Sequence, residues 1–286
     1  VTYNEILKEL KERFEAAGLP EPSSDAMLLM DYIAGMNRTK LFLSGNEEVP
    51  ADILESLREA AGKRILRIPL QHITGFQSFM GLEIAVDENV LIPRQDTEIL
   101  VEEIIKEGSS GLRILDLCTG SGCILLSLLK YMNNCEGVGV DISEEALELA
   151  RKNSERLHIP ATFIHSDLFD SLSKNDDKYD IIVSNPPYIK SDDIDGLMDE
   201  VRLHEPLIAL DGDTDGLKFY RIITDRSGEY LSIGGKLYFE IGYDEASEVS
   251  RLMTDAGFID VRVIKDLAGL DRVVRGEYAG NLKVLK

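Results

Sequence analysis

The spacing of apolar residues changes near residue 113, and the change splits the chain into two kinds of element. Before that point the spacing is helical. Ile6, Leu7, Leu10 and Phe14 fall on one face, behind Thr2-x-x-Glu5, whose hydroxyl and carboxylate suit a capping box. Gly18 and Pro20 end that run. Met27, Leu28, Met30 and Ile33 mark a second helix, with Ser24 as its expected cap and Gly35 as its stop. A short apolar segment at 41–43 precedes a third, long helix from Ala51 through Leu54, Leu57, Ala61 and Ile65. Together these predict a small helical bundle over residues 1–68. Pro69-Leu70-Gln71-His72-Ile73-Thr74-Gly75 breaks the period, and strand-like residues 79–86 around Gly81 predict a hairpin. Residues 69–90 are therefore expected to link two domains. Asp96 is the expected cap of the next helix, which carries Ile99, Leu100, Ile104 and Ile105.

From Arg113 the pattern becomes strand, turn, helix, repeated. Strands are predicted at 114–117, 137–140, 162–165, 181–183, 236–240, 259–264 and 272–275. Helices are predicted between them at 124–130, 144–156, 216–230 and 245–256. Such alternation predicts an α/β domain over residues 91–286, with seven strands in a parallel sheet and right-handed crossovers. No internal repeat is present. The nearest approach to low complexity is the polar turn Ser173-Lys174-Asn175-Asp176-Asp177.

Chemistry concentrates where these strands end. The apolar run Tyr179-Asp180-Ile181-Ile182-Val183 reads as a buried strand and leads into Ser184-Asn185-Pro186-Pro187-Tyr188. Two prolines hold the backbone rigid just past the strand end, the edge where open α/β sheets bind ligands. An amide carbonyl from Asn185, the carbonyl of Pro186 and the face of Tyr188 suit a planar –NH2 group. A Pro-Pro turn covering the sheet edge is an equally good reading of this stretch alone. Earlier in the chain, Asp116-Leu117-Cys118-Thr119-Gly120-Ser121-Gly122 follows a strand and opens a helix. Its glycines permit close approach of a ligand to backbone. Asp141 ends the next strand, where dinucleotide sites place the carboxylate that binds a ribose diol. The loop lacks the third glycine of the dinucleotide fingerprint and the Lys-Ser/Thr of a P-loop.

Composition narrows the classes. The 31 Lys+Arg against 52 Asp+Glu leave a net charge of −21, and no basic cluster stands out, which counts against nucleic-acid binding. No apolar run is long enough to span a bilayer, and the first ten residues carry Glu5, Lys8 and Glu9 instead of a signal-peptide core. Cys118, Cys123 and Cys135 form no CxxC pair, which argues against a disulfide framework or a zinc site. The expectation is a cytoplasmic protein with no metal and no membrane partner. His72, His158, His165 and His204 are scattered and read as structural, and the acids at 192–193 and 211–215 read as solvated loop charges.

The Gly-x-Gly loop behind Asp116, the acid at 141 and Asn-Pro-Pro-Tyr together resemble class I S-adenosylmethionine-dependent methyltransferases acting on planar amino groups. Two further sets of residues narrow the resemblance. Gln71-His72-Ile73-Thr74-Gly75 with Ile92-Pro93-Arg94-x-Asp96-Thr97-Glu98 is one; Glu205-Pro206-x-x-Ala209-Leu210 with Asp215-Gly216-Leu217 is the other. These resemble the HemK/PrmC family, the glutamine N5-methyltransferases of peptide chain release factors, over nearly the whole chain. The resemblance implies a Rossmann-like seven-stranded methyltransferase sheet with an N-terminal helical substrate-recognition domain and a linking β-hairpin. It implies S-adenosyl-L-methionine as cofactor, S-adenosyl-L-homocysteine as product, and class 1 release factors as protein substrate. Cofactor contacts are implied at Cys118, Thr119, Gly120, Ser121, Gly122, Asp141, Asp167, Leu168 and Asn185. Asn185, Pro186, Pro187 and Tyr188 would hold the substrate amide, with Asn185, Pro186 and Tyr188 serving the reaction.

Two departures stand out. Cys118 replaces a usual Gly, an exchange expected to be cheap if φ there is negative, and Gln95 replaces a usual Pro. Other readings are an exocyclic-amine methyltransferase of nucleic acid, or a nucleotide-binding interaction module without catalysis. The acidic charge counts against the first, and the amide-gripping tetrapeptide against the second.

Overall fold

The computed structural model describes residues 1–174 and 178–280. Asn175, Asp176 and Asp177 of the polar turn, and the last six residues of the second predicted domain, lie outside the described residues. The chain forms two compact units. One comprises Val1–Phe76 with the later segment Met198–His204; the other comprises Gln77–Leu197 and Glu205–Lys286.

The first unit contains α1 (Tyr3–Ala16), α2 (Pro22–Ala34), α3 (Arg38–Ser44), α4 (Ala51–Ile65) and α5 (Leu70–Thr74). Thr2 and Glu5 form the capping box, Thr2 Oγ1 accepting from the Glu5 amide at 3.3 Å and Glu5 from the Thr2 amide at 2.8 Å. Ser24 is not a cap: α2 begins earlier, with Pro22 in its first turn, where a missing N–H costs nothing. The apolar stretch at 41–43 belongs to the helix α3, capped by Asn37. Ile6, Leu10, Phe14, Leu29, Met30 and Leu57 form a dry core.

Inside this unit Arg64 is nearly inaccessible. Its Nε donates to Asp25 at 2.8 Å and its Nη2 to Glu200 at 3.0 Å, while Arg67 reaches Glu200 at 3.3 Å. The helix α9 (Asp199–His204) is thereby fastened to α2 and α4 through one guanidinium, although it lies far along the chain.

Next in the chain after α5 is a hairpin, β1 (Phe76–Phe79) and β2 (Leu82–Ala85). Met80 and Gly81 both have positive φ, as the favoured two-residue hairpin turn requires. After α6 (Gln95–Glu107) come β3 (Arg113–Leu117), α7 (Cys123–Tyr131), β4 (Glu136–Asp141), α8 (Glu144–Leu157), β5 (Thr162–His165) and β6 (Tyr179–Ser184). Then follow α10 (Lys218–Ser227), β7 (Leu231–Glu240), α11 (Ala246–Asp255), β8 (Phe258–Lys265) and β9 (Asp271–Tyr278). Asp96 does not cap α6; it lies in the first turn and pairs with Arg272 at 3.2 Å. Gln95 occupies the first helical position, where a Pro would also fit.

The seven strands are ordered β5-β4-β3-β6-β7-β9-β8. The sheet is not wholly parallel: β9 runs antiparallel to both β7 and β8. Residues 266–270, which join β8 to β9, are too few for a crossover, so the pair folds back as a hairpin. Buried clusters cover both faces, one under α6, α7 and α8 and the other under α10 and α11. Among the described residues no helix is long and apolar enough to cross a membrane.

The buried guanidinium of Arg64 yields a stability prediction. Arg64→Ala strands Asp25 and leaves Glu200 with Arg67 alone, and should cost about 3–5 kcal/mol, the usual penalty for breaking a buried pair. Urea denaturation of the full chain measures it, and a loss under about 1 kcal/mol would show that the pair is solvated.

Candidate active site

The strand order reverses between β3 and β6, because β3 pairs with β4 on one side and β6 on the other. Turns leaving these two strands therefore diverge and leave a crevice at the carboxyl edge of the sheet. A cavity of about 340 Å³ fills it. Its walls are the turn at 118–121 after β3, residues 141–143 after β4, residues 166–168 after β5, and Asn185 with Pro187 after β6. Residues 89–94 with Thr97, Ile208 and Ala209, and one face of α10 complete it.

The turn after β3 is held from several directions. The Thr119 amide donates to the Val140 carbonyl at 2.9 Å, and its hydroxyl donates to buried Asp116 at 2.6 Å. The Gly120 amide donates to Asp141 at 2.8 Å, and the Ser143 amide donates to the other Asp141 oxygen at 3.0 Å. Asp141 is thus clamped by backbone donors, while burial raises its pKa against their pull. A Cβ on Gly120 would meet no protein atom within 4 Å, so the space above this glycine is open. Gly122 differs: it is the left-handed N-cap of α7, packed against Ala150 and Leu126, and is absent from the cavity wall.

Cys118 also lines the cavity, with φ of +59°. The condition of negative φ, under which replacing Gly by Cys would be cheap, is not met. The side chain sits in the region that L-residues avoid, at a typical cost of about 1–2 kcal/mol. Desolvation and the nearby Asp141 carboxylate raise its thiol pKa above the usual range. Leu168 is likewise left-handed, at +48°, beside Asp167 on the wall.

The tetrapeptide after β6 divides its residues. Asn185 and Pro187 line the cavity, whereas Pro186 and Tyr188 do not. The expected aromatic wall at Tyr188 is therefore replaced by an anchor: its ring packs against the buried cluster, and its hydroxyl donates to Glu240 at 3.4 Å. Behind it the backbone pairs with the next loop, the Ile189 amide donating to Leu210 at 3.0 Å and the Gly212 amide to Ile189 at 2.8 Å. Gly212 and Gly216 press on the Tyr188 backbone, and a Cβ on either would come within 3 Å of it.

Arg94 and Glu205 form an ion pair at 2.6 Å, with the Glu205 carboxylate almost fully buried. The pair ties the 89–94 wall to residues 205–209, which supply Ile208 and Ala209. The acids at 211–215 are not idle: Asp211 accepts from Ser191 and the Asp213 amide, and Asp215 accepts from the Leu217 amide just ahead of α10. Arg221 holds Asp215 at a pKa of about 2.

Sequence reading missed three contributors. Asn153, wholly buried on α8, joins Ala85 of the hairpin to the Ser121 carbonyl at 3.0 Å. Thr97 is within 3.5 Å of the Asn185 amide, and Glu240 follows the β7 residue opposite Ser184. An uncharged Asn facing the interior of an amphipathic helix was the available signal for the first. His165 and His204 bond backbone carbonyls and His158 ends α8, all away from the cavity wall.

The left-handed turn at Cys118 yields a second prediction. Cys118→Ser should change stability by less than about 1 kcal/mol, while β-branched Cys118→Val should cost about 1–3 kcal/mol more, because that backbone region excludes it. Equal urea midpoints for the two variants would contradict the positive φ.

The sequence matches the PrmC N-terminal domain over residues 5–75 and the methyltransferase small domain over residues 94–202. The release factor glutamine methyltransferase of Caulobacter vibrioides is 40% identical over 270 residues, covering 93% of each chain. That of Clostridium acetobutylicum is 38% identical, covering 94% of this chain and 93% of its own. That of Geobacter sulfurreducens is 38% identical, covering 96% of both. Among solved structures, a Pyrococcus furiosus methyltransferase superposes with a TM-score of 0.53 at 18% identity, over 79% of this chain and 98% of its own. The 16S rRNA methyltransferase RsmC of T. thermophilus, solved with AdoMet and guanosine, gives 0.51 at 20% identity, over 71% and 49%. At such identities the two structures speak for the fold alone. The curated relatives, matched along nearly their full length, place the chain in the release factor glutamine methyltransferase family.

Proposed function

We infer that the protein transfers a methyl group from S-adenosylmethionine to the side-chain amide nitrogen of the glutamine in the Gly-Gly-Gln motif of class 1 release factors, and so modulates translation termination. The observation that carries this reading is one cavity bounded on one side by Asp141 and the open turn at Gly120, and on the other by Asn185.

The cavity's chemistry fits the cofactor. Ser121 Oγ is buried in its wall without a hydrogen-bond partner, and Asp141 and Asp167 supply carboxylates for hydroxyl and amino donors. The basic residues on the wall are engaged, Arg94 with Glu205 and Lys218 with Asp213 at 3.2 Å. An acceptor-rich interior with no unengaged cation suits a positively charged ligand. When bound, S-adenosylmethionine supplies a methyl group on a sulfonium that is already an activated leaving group.

The protein's part is binding and orientation. Asp141 takes the ribose hydroxyls, the turn at 119–121 receives the methionine portion, and Asp167 with Leu168 borders the adenine. Cys118 lines the same region, and Gly122 acts through the turn it makes possible. Asn185 Oδ1 accepts one N–H of the substrate amide; the second is assigned to the Pro186 carbonyl, which is not part of the cavity wall, so Asn185 is the acceptor that the cavity itself supports. Pro187 walls the slot, and Tyr188 anchors it from behind. An amide nitrogen is a poor nucleophile because its lone pair is delocalised. Acceptors placed out of the amide plane favour a pyramidal nitrogen and turn the lone pair toward the methyl donor. Positioning and exclusion of water supply the remainder. No side chain need take a proton beforehand, since the amide nitrogen becomes strongly acidic once methylated.

Two measurements test the assignments. Asp141→Ala should weaken cofactor binding by about 1.5–3 kcal/mol in calorimetry, the worth of charge-assisted hydrogen bonds, and unchanged affinity in folded protein would remove Asp141 from the ribose site. Asn185→Ala should lower the single-turnover rate far more than it alters cofactor affinity, since its bond strengthens as the nitrogen pyramidalises. A wild-type rate from cofactor-saturated Asn185→Ala would reduce the slot to a plain turn.

A further inference from the structure

We propose that Thr97 and Glu240 are positioning residues that fix which end of the Asn185 amide faces the substrate. The proposal rests on the reading of Asn185 as an acceptor for the substrate amide, and adds how its direction is set. An Asn side chain presents a carbonyl in one orientation and an NH2 group in the other. Only the first can receive a substrate N–H. The reversed side chain would oppose donor to donor.

The sheet register brings the three residues together. Ser184 of β6 lies opposite Phe239 of β7, so Asn185 and Glu240 leave the sheet side by side. Thr97 comes from the first turn of α6, is buried, and lines the cavity. Asn185 Nδ2 donates to Thr97 Oγ1 at 3.5 Å. The Tyr188 hydroxyl donates to Glu240 Oε1 at 3.4 Å, and Glu240 Oε2 is buried without a hydrogen-bond partner.

A threonine hydroxyl has one proton, and its direction decides the chain. An ionised Glu240 can only accept, and its unpartnered Oε2 is where the Thr97 proton would be directed. Thr97 then shows lone pairs to Asn185 and selects its NH2 end, which leaves Oδ1 directed at the substrate. Burial raises Glu240 to a pKa of about 7, while Thr97, Arg272 and Tyr188 favour its charged form and Asp96 opposes it. Tyr188 gains a role in the same chain. By donating to Oε1 it leaves Oε2 as the acceptor open to the Thr97 hydroxyl. A hydrogen-bonded second layer of this kind holds a functional side chain within the narrow range of productive geometry.

Full-length protein, S-adenosylmethionine and a release factor suffice for the test. Thr97→Val removes the hydroxyl at nearly constant shape, Thr97→Ser retains it, and Glu240→Gln replaces the acceptor with a group that can donate. Thr97→Val and Glu240→Gln should each lower kcat about tenfold or more, while KM for the release factor and the calorimetric cofactor Kd stay within about threefold, because only an interaction made in the transition state is lost. Thr97→Ser should recover most of kcat. The double variant Asn185→Ala with Thr97→Val should be no slower than Asn185→Ala alone, since the hydroxyl acts only through that amide. Wild-type kcat in Thr97→Val, equal loss in Thr97→Ser, or full additivity in the double variant would overturn the proposal and leave the Asn185 assignment standing. A wild-type rate in Asn185→Ala itself would remove that assignment and this inference with it. The cofactor Kd reports folding of each variant, and Glu240→Gln tests the chain independently should Thr97→Val not fold.

Discussion

The site depends on a single topological constraint: β3 has parallel neighbours on both sides, so the connections leaving it and leaving β6 must diverge. That divergence opens the crevice, and no loop has to be held apart by its own packing. Everything else decorates its rim. The rigid sheet fixes Asp116, Asp141, Asn185 and Glu240 at the ends of four different strands along one edge. The separations between them are set by strand spacing, which side-chain motion changes little. A site built in this way is pre-organised at the level of the fold.

Electrostatics follows from the same burial. Asp116 and Glu240 are inaccessible to water, and burial pushes each to a pKa of about 7. Asp116 keeps one bond from Thr119, and its other oxygen is unpartnered. Such carboxylates are costly to ionise in isolation, and a bound cation nearby would relieve that cost. The cavity is thus matched in charge to the cationic cofactor proposed for it, whose binding should favour ionisation of the groups around it. The −21 net charge of the chain points the same way for the macromolecular substrate, since it favours a basic partner surface over a polyphosphate.

Much of this was legible in the residues. The alternation of apolar runs and helical stretches after Arg113 located the strands of the sheet, because buried parallel strands are nearly continuous in Val, Ile and Leu. The order of those strands was not legible, nor was the reversed direction of β9, since pairing depends on contacts between residues distant in sequence. Caps were misplaced at Ser24 and Asp96, where Pro22 and Gln95 begin the helices instead. Local side-chain chemistry marked a helix start in both cases, but the backbone turned earlier. At the site, Asp141, the Gly120 turn and Asn185 declared themselves by position after a strand. Tyr188 declared its type and not its direction, for a ring beside a Pro-Pro pair can face the cavity or the core. Thr97 and Glu240 were silent because nothing in a sequence shows that α6 and the end of β7 converge on β6. Cys118 carried a sign that only the backbone could settle, and its positive φ explains why a glycine would suit that position.

The central claim is that this cavity presents acceptors to a glutamine amide. The most direct measurement is a competition in one reaction, with labelled S-adenosylmethionine, an unmodified class 1 release factor and adenine-containing DNA. Tandem mass spectrometry then locates the transferred methyl group. The account predicts label on the release factor alone, on the side-chain nitrogen of the Gly-Gly-Gln glutamine. Label on DNA, or on any other residue of the factor while that glutamine stays unmodified, would contradict it.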